Sequence, residues 1–198
     1  LSSRARITPT SFVNEYNYGD FRGSPEKLME KYFDAHLYLA NWGTHRLTFR
    51  LPRRILDEKT ATAYCAGGLA EARRKGDFVV LEWNAEEDSG GGDWEEGEGW
   101  LAGLIPIRSD LLRGDLRALY LGWVLRAQGG ELDDDDVEPP VPPGIQKPSA
   151  SLERFAEFLR IDPALIEVAA TLENPADADA ELRHLLQVLR GQSGAPSP

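Results

Sequence analysis

A change of hydrophobic period within residues 24–51 constrains the fold of this chain more than any other feature of its sequence. Ser24 is a typical helix N-cap and Pro25 suits a first helical turn, and apolar residues then recur at helical spacing. From His45 the spacing becomes two, which is the period of a strand with one buried face. The pattern predicts a helix of about four turns that ends at Gly43 and folds back onto a half-buried strand.

The rest of the chain predicts an α+β fold. A strand, a short helix and a hairpin precede a glycine-rich acidic stretch, and helices follow it. The predicted elements are a strand at 10–18, a short helix within 53–64, hairpin strands at 69–74 and 78–83, a strand or buried loop at 100–107, a helix at 110–128 capped by Ser109, and short helices at 152–160, 163–171 and 179–190. This order predicts a small antiparallel or mixed sheet with helices on one face, followed by a short-helix C-terminal region.

Composition divides the chain into four segments. Residues 1–128 form the predicted α+β core domain, and residues 129–150 are an acidic, proline-rich linker. Residues 151–190 are a short helical extension, either packed on the core or separate, and residues 191–198 are a disordered tail. Residue 1 is Leu rather than Met, so we expect a short segment to precede it.

Charge is distributed unevenly along the sequence. The net charge is −11, but residues 1–83 carry 13 Lys and Arg against 10 Asp and Glu, while residues 84–198 carry 9 against 23. An acidic chain repels nucleic acid overall, although its first half would not. The glycine-rich acidic stretch at 84–99 is predicted to be a mobile loop, and the run at 133–136 a solvated charge cluster rather than a cation site.

Motifs with a known chemical mechanism are absent. The sequence has no Walker A loop, GxGxxG, HExxH, CxxC pair, GxSxG or EF-hand loop. Asp34, His36, His45 and the single cysteine, Cys65, are metal-ligand types, but their spacing matches no metal site. We therefore predict neither a metal nor a cofactor. His36, His45 and Asp34 remain the candidates for catalysis, on the condition that the two histidines meet beside Arg46 in one cleft.

Four arginines form a candidate anion-binding site. Arg46 and Arg50 share one face of the predicted strand, and Arg73 and Arg74 lie near the hairpin turn. The alternative is an ordinary sheet face on which these arginines pair with Glu or Asp neighbours. If they do form a site, the tethered acidic loop at 84–99 is predicted to shield it weakly and to yield to a stronger anion.

Three sequence stretches resemble a family of uncharacterised bacterial proteins. They are SSRARITPTSFVNEYNYGDF, YFDAHLYLANWGTHRLTFRLP and WEEGEGW, and the likeness extends from residue 1 to about residue 170. Members of that family begin with a further short N-terminal portion. The resemblance implies a bacterial, cytoplasmic protein, and it carries no activity, cofactor or catalytic residue.

These observations favour a non-enzymatic cytoplasmic interaction protein. Missing catalytic motifs, divided charge and two acidic segments suit recognition of a macromolecular partner. We expect this partner to be another protein, with a nucleic acid or a small anion as weaker alternatives, and we expect no membrane contact. The alternative is an enzyme or a small-anion-binding domain that uses the region around residues 32–50.

Overall fold

A computed structural model of the chain describes residues 5–9, 11–16, 19, 21–40, 42–86, 99–133 and 135–171. The acidic stretch at 87–98, the predicted helix at 179–190 and the tail at 191–198 lie outside the described residues. The elements, in chain order, are β1 (Arg6–Ile7), β2 (Phe12–Val13), α1 (Pro25–Lys31), β3 (Ala35–Leu39), β4 (His45–Pro52), α2 (Glu58–Tyr64), β5 (Ala70–Lys75), β6 (Phe78–Ala85), α3 (Trp100–Leu112), α4 (Arg117–Gln128), α5 (Ala150–Phe158) and α6 (Pro163–Thr171).

The main sheet is antiparallel, with strand order β3-β4-β6-β5, and β1 and β2 form a separate two-stranded sheet. The face of the main sheet that packs on the helices, here called the inner face, carries fully buried side chains such as Leu47, Phe49 and Trp83. Helices α2 to α6 contribute the other side of this core, including Phe155 from α5 and Leu165 from α6. The predicted α+β class, with an antiparallel sheet and helices on one face, is confirmed.

The predicted four-turn helix is wrong in its second half. Helix α1 has only 7 residues, is capped by the Ser24 side chain and ends at Lys31. The next apolar residues form β3, which pairs along its length with β4. The apolar residues Ala35, Leu37 and Leu39 are compatible with the period of a helix and with that of a strand. Pairing with the neighbouring strand β4 favours the strand. Gly43, with φ of 96°, belongs to the β3–β4 turn and not to a helix end.

The region from 100 to 128 is also rearranged. Residues 100–107 are neither strand nor loop, since α3 runs from Trp100 to Leu112 with Pro106 inside it. Ser109 therefore lies within a helix rather than capping one. The predicted single helix at 110–128 is divided near Gly114, whose φ of 88° is left-handed and interrupts helical geometry.

The first predicted strand is shorter than expected, and the predicted hairpin is present. The strand predicted at 10–18 is reduced to β2, and Thr10, Asn17 and Tyr18 lie outside the described residues. The hairpin is confirmed as β5 and β6, with Gly76 at φ 61° in its turn.

The acidic, proline-rich segment 131–148 contains neither helix nor strand among its described residues, and it is fastened to the core. Ile145 is buried, and Tyr64 Oη donates to the carbonyl oxygen of Pro140 at 2.9 Å. Buried Tyr120 Oη donates to a Glu138 carboxylate oxygen at 2.5 Å. Polar anchors at two points thus hold the segment against α2 and α4.

Candidate functional site

The face of the main sheet opposite the core, here called the outer face, carries most of the predicted site residues. Alternation along β4 turns Arg46, Thr48 and Arg50 to this face, while Leu47, Phe49 and Leu51 turn to the core. Cross-strand pairing then places Asn84 beside Arg46 and Glu82 beside Thr48. Glu82 and Asn84 were not among the predicted site residues, although the same alternation in the strong β6 pattern could have identified them.

Arg73 is neutralised by two carboxylates on the outer face. Its guanidinium lies 2.7 Å from Glu71 and 3.3 Å from Glu82, and Thr48 Oγ1 donates to Glu82 at 3.3 Å. Partial burial lowers the pKa of Arg73, but the attraction of Glu82 and Glu71 outweighs it, so the pKa is raised overall. Arg73 is thereby engaged in pairs across the sheet.

Arg50 ties three elements together. Its guanidinium bonds Asp34 Oδ1 at 2.9 and 3.1 Å, donates to the Glu30 carbonyl oxygen at 2.6 Å, and lies over the Phe78 ring at 4.5 Å from the centroid. The second Asp34 oxygen pairs with Arg108 of α3 at 3.1 Å. Arg50 and Asp34 therefore fasten β4 to α1, to the start of β3 and to α3.

Arg74 does not share the outer face. It pairs with Val79, whose side chain is buried on the inner side, and its own exposed guanidinium donates to the Gly76 carbonyl oxygen at 3.4 Å. Only three of the four arginines predicted as an anion site, Arg46, Arg50 and Arg73, are thus brought to one face.

Arg46 is the least engaged of these three. Its nearest carboxylate oxygen, on Glu82, is 4.0 Å from Nε, and its side chain is 40% exposed. The buried Nε of Arg46 and the buried Oδ1 of the neighbouring Asn84 have no hydrogen-bond partner among the described residues. A donor and an acceptor on cross-strand partner residues of the outer face are therefore unsatisfied by the described residues.

The two histidines lie on opposite faces of the sheet. His36 is on the outer face opposite Thr48, and burial is the main cause that lowers its pKa, so the ring is neutral at pH 7. His45 is 3% exposed on the inner face, where Nδ1 lies 2.7 Å from the Phe158 carbonyl oxygen and Nε2 lies 3.2 Å from Arg160. The convergence required of a catalytic site at His36, His45 and Arg46 is not present.

The described residues contain no cluster of side chains suited to metal binding. No group of three or more His, Cys, Asp or Glu side chains there is arranged to hold an ion. Cys65 is fully buried beneath α4, and burial raises the pKa of its thiol to about 12.

Strand β3 leaves its outer backbone edge open. Arg50 N–H donates to the Asp34 carbonyl oxygen at 2.9 Å, and Ala40 N–H donates to that of Thr44 at 3.0 Å. These bonded pairs bracket the β3–β4 ladder, so the even-numbered residues between them bond to β4. The N–H and C=O groups of the odd-numbered residues Ala35, Leu37 and Leu39 therefore point away from β4, and no described residue bonds them.

The opposite edge of the sheet is covered. Ala72 N–H of β5 donates to the Cys65 carbonyl oxygen at 2.9 Å, and Gly67 N–H donates to that of Ala70 at 3.0 Å. Strand β5 (AEARRK) also carries four charges, whereas β3 (AHLYL) carries neither a charged residue at neutral pH nor a proline. Charged residues and prolines are the usual means by which an edge strand is kept from pairing with another chain. Strand β3 has neither, so its sequence does not oppose pairing.

A cleft of about 1420 Å³ follows the open edge. Its lining takes in the whole of β3, Leu101 and Ile105 on α3, outer-face residues of β4 to β6 such as Arg46 and Glu82, and residues 11–16 of the N-terminal segment. Exposed aromatic rings stand beyond both ends of β3: Tyr32 is 71% exposed and Trp42 is 62% exposed. This open edge with its flanking side chains is called the edge cleft below. Sequence reasoning missed it because residues 35–39 were predicted to be helical.

Comparison of the chain with protein-family models, curated proteins and solved structures gives no match. No helix among the described residues combines the length and the apolar character needed to cross a membrane.

Proposed function

We propose that this chain is a non-enzymatic interaction protein that binds another polypeptide by adding an extended segment of it to β3. The observation that carries the proposal is the row of N–H and C=O groups on Ala35, Leu37 and Leu39, inside the edge cleft, that bond to no residue the structure describes. Strand addition to an exposed sheet edge is a recurrent mode of peptide recognition, in which backbone bonds supply affinity and flanking pockets supply specificity.

The side chains around the edge define the segment that would fit. On the inner side the added strand would meet Leu101 and the 40% exposed Ile105 of α3, so apolar residues belong there. On the outer side it would lie beside His36 and Tyr38, where polar or aromatic residues belong. The edge cleft therefore favours a short segment in which apolar and polar residues alternate.

Selection of displayed random decapeptides tests this function. Peptides are selected on the immobilised protein and then compared on two variants, Ala35→Pro and Ala35→Val. Proline removes one outward N–H at the first residue of the strand, whereas valine keeps it. We expect alternating sequences that bind the valine variant and lose at least tenfold in affinity on the proline variant. Equal binding to both folded variants, or selection of no peptide, would overturn the proposal.

A small ligand at Arg46 is the second candidate, favoured by the unsatisfied Arg46 Nε and Asn84 Oδ1 atoms. A carboxylate or carboxamide group could accept from the first, and a carboxamide could also donate to the second. Titration with acetate and with acetamide, followed by NMR of the Asn84 side-chain amide signal, measures this directly. Saturable shifts that vanish in Arg46→Gln but persist in the exposed-site control Arg53→Gln are expected. Shifts that do not saturate would exclude such a site.

A further inference from the structure

We infer that the strand which β3 accepts is β3 of a second copy of this chain, joined in antiparallel register about Leu37. The inference rests on the proposed strand addition and names its partner. In this register Leu37 faces Leu37 of the other copy, and Ala35 faces Leu39. The residues that meet are those whose N–H and C=O groups are directed outward, so every donor at the interface meets an acceptor.

The side chains of β3 match what the edge cleft requires. Its inner residues Ala35, Leu37 and Leu39 are apolar and half-buried, and its outer residues are His36 and Tyr38. A second β3 therefore presents the alternating pattern that fits beside Leu101 and Ile105 on one side and the polar outer face on the other. Two-fold symmetry uses the same surface twice, as an isologous interface demands.

The exposed aromatics support the same register. Tyr32 and Trp42 are each five positions from Leu37, on opposite sides of it. Antiparallel pairing about Leu37 therefore brings Tyr32 of one copy and Trp42 of the other to the same end of the joined strands, and the symmetry repeats this at the other end. Tyr32 and Trp42 are the most exposed aromatic residues among the large hydrophobic residues described, and pairing provides a partner for both.

Charges on β3 do not oppose pairing of the two copies. Strand β3 has no acidic residue, lysine or arginine, and the neighbouring Asp34 is already paired with Arg50 and Arg108. His36 would stand beside Tyr38 of the other copy, and burial keeps its ring neutral at pH 7. Like charges therefore do not face each other along the joined strands.

Sedimentation equilibrium of the 198-residue chain tests the association. At protein concentrations up to about 200 µM, a range that populates a dimer of micromolar Kd, we expect wild type and Ala35→Val to form dimers and Ala35→Pro to remain monomeric. Monomeric wild type would overturn the inference while leaving selected peptides free to bind β3, so the proposed function would stand. A dimer that persists in folded Ala35→Pro would also overturn it.

Cysteine cross-linking tests the register. In the proposed dimer His36 and Tyr38 of different copies form a non-hydrogen-bonded pair with Cα atoms about 4.5 Å apart, which suits a disulfide. Mixing His36→Cys with Tyr38→Cys under mild oxidation should give cross-linked dimer at least tenfold faster than either variant alone. Each single variant is the control for the other, and buried Cys65 does not compete. Equal rates in the mixture and in the separate variants would overturn the register about Leu37.

Discussion

Arg50 has more partners inside the protein than the other arginines of the predicted anion site. It bonds Asp34 and the Glu30 carbonyl group and stacks on Phe78, and its side chain is 14% exposed. Arg74 also lies on a strand, but on the edge strand β5 and not on the outer face, and its described contact is a single 3.4 Å bond to a neighbouring carbonyl. Arg50 therefore stabilises the fold, whereas Arg74 is dispensable for it.

Replacing each of these arginines by methionine separates the two roles. Arg50→Met keeps much of the aliphatic packing but loses the charged bonds, so we expect the free energy of unfolding to fall by about 1–3 kcal/mol. Arg74→Met should change it by less than about 0.5 kcal/mol. Urea denaturation followed by circular dichroism measures both. Equal losses for the two variants would contradict the assignment of Arg50 as the tie between β4 and β3.

His36 should make the protein less stable in mild acid. Burial is the largest cause of its lowered pKa, Glu82 and Glu26 oppose the shift, and Arg46 adds to it. Because the folded-state pKa lies below the unfolded value near 6.5, the unfolded chain binds the proton first as pH falls. The stability that neutral His36 contributes is therefore fully present above the pKa of the unfolded state. It declines as the pH falls below that value and is lost below the pKa of the folded state.

NMR titration of the His36 ring gives its pKa directly, and urea unfolding at pH 7 and pH 5 gives the stability change. His36→Gln removes the titrating group, so we expect the difference in stability between the two pH values to be smaller in this variant than in wild type. The stability difference that remains in His36→Gln comes from other titrating groups and serves as the internal control. An identical pH dependence in both proteins would show that His36 does not contribute.

At the scale of elements, proline substitution distinguishes the two backbone edges of β3. Ala35 directs its N–H to the open edge, whereas His36 directs its N–H to β4. At protein concentrations well below the dimer Kd, Ala35→Pro should therefore leave the midpoint of urea unfolding nearly unchanged. His36→Pro removes a ladder bond and should lower stability by about 3 kcal/mol or more. Comparable destabilisation by both prolines would mean that the open edge has been assigned to the wrong residues.

The sequence predicts elements well where only one hydrophobic period fits. Strand β4 alternates strictly, so its existence and the outward direction of Arg46 and Arg50 follow from the pattern alone, and the run of β-forming residues predicts β6. Residues 35–39 fit both helix and strand, and the choice depends on the neighbouring β4, which a local pattern does not contain. Pro106 similarly favoured a break at 100–107, but α3 tolerates it where residue 106 itself is exposed.

The candidate site was predictable only in part for the same reason. Alternation placed Arg46 and Arg50 on one face, and Arg73 was predicted only to lie near the hairpin turn. The pairing of these arginines with Asp34, Glu71 and Glu82 depends on tertiary contacts. An open edge is defined by which backbone groups lack partners, and side-chain patterns do not reveal this. Once β3 is known to be a strand, the absence of charge and proline in AHLYL is the signal.

At the scale of the whole molecule, the acidic excess of the sequence is separated from β3. The chain carries a net charge of −11, yet its acidic excess lies beyond residue 83, while β3 is uncharged at neutral pH. Two copies therefore repel each other at long range although their joined strands would not. The acidic stretch at 87–98 lies outside the described residues, so its predicted shielding of Arg73 and Arg74 stays a prediction.

This separation gives the proposed dimer an unusual salt dependence. Repulsion between the two acidic chains is screened as salt rises, because the Debye length falls from about 10 Å at 0.1 M to about 3 Å at 1 M. Contacts along β3 are backbone bonds and apolar side chains, which such screening does not weaken. We expect the dimer Kd, measured by sedimentation equilibrium, to fall severalfold between about 0.05 M and 0.5 M NaCl, while Ala35→Pro stays monomeric throughout. An interface made by ion pairs, for example between Arg74 and the acidic stretch, would weaken over the same range, so a rising Kd would place the contact elsewhere.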